Sequence, residues 1–182
     1  AQEAYLKAPN AESNDWFGRS VAVSGDTIVV GAPDEDSNQS TITNGTTASG
    51  DNSGASTGAV YVFKRTGSTW AQEAYIKPSN AASTAGVTAE FGDHVSISGD
   101  RIVVGAKGER SNQTTITNGS TASADGSAGS AGAAFVFKRT GVTWAQEAYL
   151  KASNAESSDY FGISVDIDGD TIVVGSYWED SN

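Results

Sequence analysis

The strongest constraint on the fold is an internal repeat of 70 to 74 residues. The phrase AQEAYLKA, which opens the chain, returns with few changes at Ala71 and Ala145. A Phe-Gly pair recurs with nearly the same spacing, at Phe17, Phe91 and Phe161. Repeats of this length are units that bury their apolar faces against their neighbours. The sequence therefore predicts a tandem array.

Each full repeat contains four predicted strands. In the first repeat, Ser20–Ser24 alternates valines with small residues, which is the period of a strand with two unlike faces. A Gly-Asp turn leads to Thr27–Gly31, which is apolar without alternation and is therefore predicted to be covered on both faces. A third, continuous strand begins at Ala59.

The fourth strand begins at Thr69 and mixes Trp and Tyr with Gln, Glu and Lys, as expected of an outer strand. A helix is the competing prediction for this segment, but its aromatic and aliphatic residues lack partners at helical spacing. Four antiparallel strands with an apolar interior and a polar rim describe a β-propeller blade.

Two stretches carry a resemblance to a known family. WFGRSVAVSGDTIVVGAP from Trp16 and TGAVYVFKRTGSTW from Thr57 resemble the FG-GAP repeats of integrin α-chain β-propellers, and resemble more closely the bacterial proteins built of tandem integrin-like repeats. The full signature, with Gly-Ala-Pro after Phe-Gly, is complete only at 31–33. The resemblance implies a ring of about seven blades that serves adhesion, ligand binding or a structural platform.

The expected fold is all-β, with about two and a half β-propeller blades of four antiparallel strands. Residues 1–16 are predicted to be the outer strand of a preceding blade with its linker, 17–90 and 91–160 two blades, and 161–182 the first half of a further blade. A half-blade exposes an apolar edge and is marginal alone. Three interpretations stay open: a longer array, association of identical chains by strand pairing, and a stable monomer.

Charge and composition exclude several classes of function. The net charge of −11 is expected to repel nucleic acid and anionic membrane surfaces. No apolar run approaches the roughly 20 residues that cross a bilayer, so no membrane insertion is predicted. The chain has no cysteine, and its one histidine, His94, stands where other copies have Ser20 and Ser164. We therefore predict a protein that is not an enzyme.

The acidic turns are the first candidate places for metal binding. Integrin-type repeats often carry a calcium loop, but the corresponding turn here is too short to supply six to eight oxygens. The nearest approach is DIDGD, with Asp166, Asp168 and Asp170. Two interpretations stay open: solvated carboxylates that line a central channel, or a weak calcium site. No cofactor is predicted to be required.

Two long polar loops, 34–57 and 108–131, are predicted to have a defined shape because their sequences repeat. We expect contacts with partners to come from the segments that follow the second strands, namely from Asp34, Glu35, Asp36, Trp178, Glu179 and Asp180. These segments, with Glu109, are a second candidate place for weak calcium contacts. The pattern N-x-[ST] marks candidate glycan acceptors at Asn38, Asn44, Asn112 and Asn118.

Three aromatic residues near the loop starts, Trp16, Tyr160 and Trp178, either pack between blades or stack on sugar rings. The predicted function is a non-catalytic extracellular structural or adhesion module, part of a repeat-built propeller or fibre. Its predicted partners are flanking repeats or identical chains, with surface glycans or proteins as further candidates. The alternative is a carbohydrate-binding or carbohydrate-active propeller.

Overall fold

The computed structural model of the chain describes residues 2–180, and its regular elements in that range are all β-strands. In chain order they are β1 (Ser20–Ser24), β2 (Thr27–Ala32), β3 (Thr43–Asn44), β4 (Ala59–Thr66), β5 (Thr69–Ile76), β6 (His94–Ser98), β7 (Arg101–Ala106), β8 (Thr117–Asn118), β9 (Ala133–Thr140), β10 (Thr143–Leu150), β11 (Ser164–Asp168) and β12 (Thr171–Gly175). Within the described range no helix is long and apolar enough to cross a bilayer.

The strands form three antiparallel sheets, in the orders β1-β2-β4-β5-β3, β6-β7-β9-β10-β8 and β11-β12. The predicted all-β fold is confirmed, with two blades and the first two strands of a third. The fourth segment of each full repeat is a strand, so the competing helix prediction is wrong. Its aromatic residues pair across the sheet, as Tyr75 does with Tyr61 on β4.

A short fifth strand lies on the outer edge of each complete blade and was not predicted. In the first blade Thr43 pairs with Tyr75, and Asn44 with Ala74. The strand is two residues long and joins its neighbour through backbone hydrogen bonds, so it leaves no apolar alternation in the sequence. The middle of each long loop is therefore part of the blade.

Residues 2–8, predicted to be the outer strand of a preceding blade, are not paired as a strand within the part of the chain that the structure describes. The segment nevertheless packs on the first blade: Leu6 and Ala8 join the apolar cluster around Tyr61. Glu3 accepts hydrogen bonds from Trp70 Nε1 at 3.2 Å and from Arg65 Nη1 at 3.3 Å. Residues 2–8 thus occupy the place of an outer strand without its hydrogen-bond ladder.

The apolar core lies between the sheets. One cluster joins Val29 of the first blade to Phe91, Val95 and Ile97 of the second. A second cluster joins Val103 of the second blade to residues of the half-blade. Central strands β2 and β7 are almost completely buried, as predicted, whereas β12 is half-exposed because no third strand pairs with it in the described chain.

The Phe-Gly pairs of the second blade and of the half-blade dock their backbones against a glycine of the preceding blade. A methyl group added at Gly31 would lie 2.0 Å from the carbonyl oxygen of Gly92, and one at Gly105 would lie 2.0 Å from that of Gly162. Gly58 forms an isolated parallel bridge with Phe91. The glycines recur because the two backbones approach too closely for any side chain.

We expect Gly105→Ala to destabilise the chain by about 1–3 kcal/mol, because the added methyl group forces the half-blade away from the second blade. The measurement is the midpoint of urea unfolding. Gly50→Ala is the matched control, since a methyl group there meets nothing within 4 Å. Equal midpoints for the two variants would contradict the close-approach explanation.

Candidate functional site

The outer rim of the joint between the complete blades is held by side chains of the first blade that bind Trp144 on β10. The Glu73 carboxylate accepts hydrogen bonds from Trp144 Nε1 at 2.9 Å and from Arg139 Nη1 at 3.0 Å. The Arg139 guanidinium lies 5.2 Å from the centre of the Trp144 ring. Glu3 makes the corresponding contacts with Trp70 and Arg65 of the first blade. This arrangement, in which one glutamate accepts hydrogen bonds from a tryptophan and an arginine of the next blade, is called the outer latch and occurs twice.

Each complete blade also buries a Glu–Lys ion pair behind its long loop. In the first blade Glu35 Oε2 lies 2.7 Å from Lys77 Nζ, and Tyr75 OH donates to Glu35 Oε1 at 2.8 Å. Both charged side chains are almost inaccessible to solvent. Asn10 donates to the same carboxylate at 3.1 Å, so the linker before the blade is tied to the pair.

The second blade repeats this arrangement with Glu109 and Lys151 at 3.0 Å, Tyr149 at 2.9 Å and Asn80 at 3.1 Å. Burial raises the pKa of Glu109 and lowers the pKa of Lys151, because the low-dielectric interior disfavours both charges. Burial also lowers the pKa of Lys77.

The prediction that Glu35 belongs to a contact surface is wrong, and Glu109 is equally unavailable to calcium. A turn after the second strand, closed by Glu35 N donating to Ala32 O at 3.3 Å, carries the side chain into the blade. The partners Lys77 and Lys151 were missed. The signal was a lysine closing each AQEAY phrase, paired with the glutamate that follows each second strand.

The remaining predicted contact residues lie nearer the surface. Asp34 and Asp36 are half-buried, and Asp36 Oδ1 accepts from Ser56 N at 2.8 Å, which shapes the loop. In the half-blade, Trp178, Glu179 and Asp180 are exposed. Their role in binding a partner stays a prediction.

The three carboxylates of the DIDGD segment are not brought together as one site. Asp166 accepts from Ser96 Oγ at 2.7 Å, and this hydrogen bond lowers the pKa of Asp166. Asp170 forms an ion pair with Arg101 of the second blade. Among residues 2–180 no group of three or more acidic, histidine or cysteine side chains is arranged to hold a metal ion.

The long loops have the defined shape that their repetition predicted. Asp51 accepts from Asn38 N at 3.0 Å and from Ser53 Oγ at 3.0 Å, and these bonds lower its pKa. Asp125 has the same role in the second loop, where Ser127 and the backbone of Asn112 lower its pKa.

The candidate glycan acceptors differ in their surroundings. All four are exposed, and glycosylation of Asn38, Asn112 and Asn118 stays a prediction. Asn44 instead pairs with the backbone of Trp144: its Oδ1 accepts at 2.7 Å and its Nδ2 donates at 3.3 Å. Because Nδ2 is the atom that would carry a glycan, Asn44 is better explained as part of the joint between blades.

Neither Trp16 nor Trp178 is buried between blades, since each is 56% exposed. The residue that fills the joint is the phenylalanine of the Phe-Gly pair, as Phe91 does. Trp16 lies beside the Arg19 guanidinium, at 5.8 Å. Tyr177 and Trp178 are exposed and form an aromatic cluster with Tyr160, which is half-buried.

His94 lies at the inner end of the joint with the half-blade, where its Nδ1 accepts from Val165 N at 3.5 Å. Ser20, its counterpart in the first blade, donates to Gly92 O at 2.7 Å. Position 94 therefore serves contact between blades.

The joint between blades recurs once per repeat, and the comparison with known families finds the same repetition. The family model for the FG-GAP repeat matches residues 1–63, 70–137 and 144–182. The chain belongs to the FG-GAP repeat family. No curated protein matches it.

The boundaries of the matched FG-GAP units differ from those of the blades. The second and third units begin in the fourth strands β5 and β10, and the first begins at the corresponding segment at the start of the sequence. The first two units end within the third strands β4 and β9. The unit is therefore offset from the blade by one strand and spans a joint.

Breaking one buried ion pair should be strongly destabilising. We expect Lys77→Met to cost about 3–5 kcal/mol, because it leaves the Glu35 carboxylate buried without its cation. The double variant Glu35→Gln/Lys77→Met should recover a large part of this loss. The measurement is urea unfolding of both variants, and a double variant no more stable than the single one would contradict this account.

Calcium is expected to have no effect on stability, because Asp166 and Asp170 already bind Ser96 and Arg101. The measurement is the melting temperature with a chelator and with millimolar calcium. A calcium-dependent rise that Asp168→Asn abolishes would show instead that the acidic turn binds the ion.

Proposed function

We propose that this FG-GAP chain is a non-catalytic extracellular structural or adhesive module, built of propeller blades whose end faces are covered by flanking repeats or by identical chains. The observation that carries this proposal is the repetition of one joint. The Phe-Gly pairs of the second blade and the half-blade both dock on a glycine of the blade before, and Glu3 and Glu73 make the same outer latch.

Membership of the FG-GAP repeat family supports both a non-catalytic role and an extracellular location. FG-GAP repeats are typically non-enzymatic and are typical of extracellular or surface proteins. Side chains of the types that often act in catalysis make structural contacts here. The Glu35–Lys77 ion pair is buried inside its blade, and His94 contacts the next blade.

The strand order bears on how flanking units join. In a complete blade the third strand lies between the second and the fourth, as β4 lies between β2 and β5. A ladder between β12 and the start of an identical chain would omit that third strand. A flanking FG-GAP repeat would supply that third strand and is therefore the better source for a strand-paired contact.

The adhesive role is tested by coupling the chain to fluorescent microspheres and measuring their attachment to surfaces coated with mucin, with deglycosylated mucin or with albumin. Attachment to either form of mucin above that to albumin is the expected result. Attachment that is equal on all three surfaces would contradict the adhesive role.

A second candidate function, carbohydrate binding, is favoured by the aromatic cluster of Tyr160, Tyr177 and Trp178, of which Tyr177 and Trp178 are exposed. The Tyr177 and Trp178 ring centres lie 5.1 Å apart, and Tyr160 meets Trp178 edge to face at 5.2 Å. Aromatic faces of this kind can stack on sugar rings.

For this candidate we expect attachment that is lost on deglycosylated mucin and falls strongly in Trp178→Ala. Val142→Ala is the matched control, since Val142 is an exposed apolar residue in the turn between β9 and β10. An unchanged Trp178→Ala variant would remove carbohydrate binding by this cluster from consideration.

A further inference from the structure

The carboxylate of Glu35 holds a primary amine and a primary amide beside each other. Its Oε2 accepts from Lys77 Nζ at 2.7 Å, and its Oε1 accepts from Asn10 Nδ2 at 3.1 Å. The Lys77 and Glu35 side chains are 0% and 2% exposed. An amine, an amide and a carboxyl group placed together in this way are the nucleophile, the electrophile and the acid–base group of an acyl transfer.

A fourth group contacts the amide at its oxygen. Tyr61 OH donates a hydrogen bond to Asn10 Oδ1 at 2.7 Å. Addition of an amine to an amide places negative charge on that oxygen, and a donor that is already in position stabilises the charge as it develops. Burial raises the pKa of Tyr61, so the phenol keeps the proton that it donates. Tyr61 therefore has the position of an oxyanion-hole donor.

The surroundings of Lys77 favour the reactive form of its amine. Only the neutral amine has a lone pair free for nucleophilic attack, and burial lowers the pKa of Lys77. The proton that the amine must release has an acceptor in Glu35 Oε2, to which Nζ is already hydrogen-bonded. Transfer of that proton converts a buried ion pair into two neutral groups, which the apolar interior tolerates better.

We propose that Lys77 and Asn10 react with each other to form an amide crosslink within the chain, with Glu35 as the acid–base group and Tyr61 as the donor to the oxyanion. The ion pair is the arrangement that precedes this reaction. The only covalent change is the exchange of one amide for another, so no oxidant, reductant or cofactor takes part.

The steps balance with ammonia as the leaving group. Lys77 Nζ passes one proton to Glu35, and its lone pair forms a bond to Asn10 Cγ, which moves the C=O electron pair onto Oδ1. That electron pair returns to the C=O bond as the bond between Cγ and Nδ2 breaks. Nδ2 takes the proton held by Glu35 and leaves as ammonia, and Glu35 accepts the second proton that Nζ loses.

The second blade contains the same groups with one difference. Lys151 and Asn80 donate to the two oxygens of Glu109 at 3.0 and 3.1 Å. Phe135 stands where the first blade has Tyr61, and among the described residues no group donates to Asn80 Oδ1. Because the oxyanion lacks its donor there, we expect the second blade to keep its ion pair and the crosslink to form in the first blade only.

The crosslink closes a loop around the first blade. Strands β1 to β5 all lie between residues 10 and 77. A force that pulls on the chain from both sides of this loop is carried by the new bond, so the blade inside is not unravelled. The inference goes beyond the proposed structural or adhesive role and does not depend on it. Each chain reacts once, without turnover, which is compatible with a module that is not an enzyme.

The first test is the mass of the intact, denatured chain. The unaltered chain is expected to lie one ammonia, about 17 Da, below the 18.6 kDa of its sequence. In a tryptic digest the peptides 8–19 and 66–101, which contain Asn10 and Lys77, are expected to appear as one branched product. Ring closure within Asn10 alone would also release ammonia, but it would leave the two peptides separate.

The second test removes the donor to the oxyanion. Tyr61→Phe should fold, because phenylalanine is completely buried at the equivalent position 135 of the second blade. During cell-free synthesis we expect this variant to form the branched product about a hundredfold more slowly than the unaltered chain. Lys77→Arg, which keeps a positive charge but has no amine to acylate, is expected to have the full mass.

The third test supplies the missing donor to the second blade. Phe135→Tyr places a hydroxyl group toward Asn80 Oδ1, as Tyr61 does toward Asn10. This variant is expected to release a second ammonia and to join Asn80 to Lys151.

A folded, unaltered chain of full mass overturns the inference, as does a loss of ammonia that gives no branched product. Equal rates in the unaltered chain and in Tyr61→Phe, or a folded Phe135→Tyr variant with only one crosslink, would contradict the role assigned to the tyrosine. None of these results bears on attachment of microspheres to mucin, which tests the adhesive role independently.

Discussion

The close approach of two backbones where Phe91-Gly92 and Phe161-Gly162 meet the preceding blade is the constraint on which the rest of this molecule depends. Gly31 and Gly105 lie so near the backbone of the following blade that no side chain fits between them. Sheets packed this tightly place Val29 and Val103 in contact with the next blade, where they are fully buried. Most of the apolar core therefore lies between blades, and a blade without a neighbour lacks part of its core.

Several polar side chains also stabilise the joints between blades or the segments beside them. Glu73 holds the Trp144 and Arg139 side chains of the next blade at the rim. The buried Glu35–Lys77 pair ties the long loop to the end of β5, and Asn10 ties the incoming linker to the same carboxylate. A buried ion pair adds little net stability because desolvation offsets the attraction, but removing one partner is strongly destabilising.

The strands whose side chains alternate or form apolar runs could be predicted from the sequence. The four strands of each blade, including the fourth segment that competes with a helix, could be located from alternation and apolar runs. Sequence reasoning failed at the fifth strand, which pairs through backbone atoms alone at Thr43 and Asn44. It also failed at Glu35, because the turn that carries this carboxylate inward and the Lys77 that neutralises it are 42 residues apart in the chain.

The sequence by itself determined the repeat, the all-β class, the strand positions and the family, because each of these is written in local pattern and spacing. Only the tertiary structure decided which polar residues face water. Asp166 and Asp170 acquire neighbours in the second blade, Asn44 acquires the backbone of Trp144, and Trp178 stays exposed beside Tyr177. The contacts of Asp166, Asp170 and Asn44 depend on how one blade is placed against the next, and that placement brings together residues 69 to 100 positions apart in the chain.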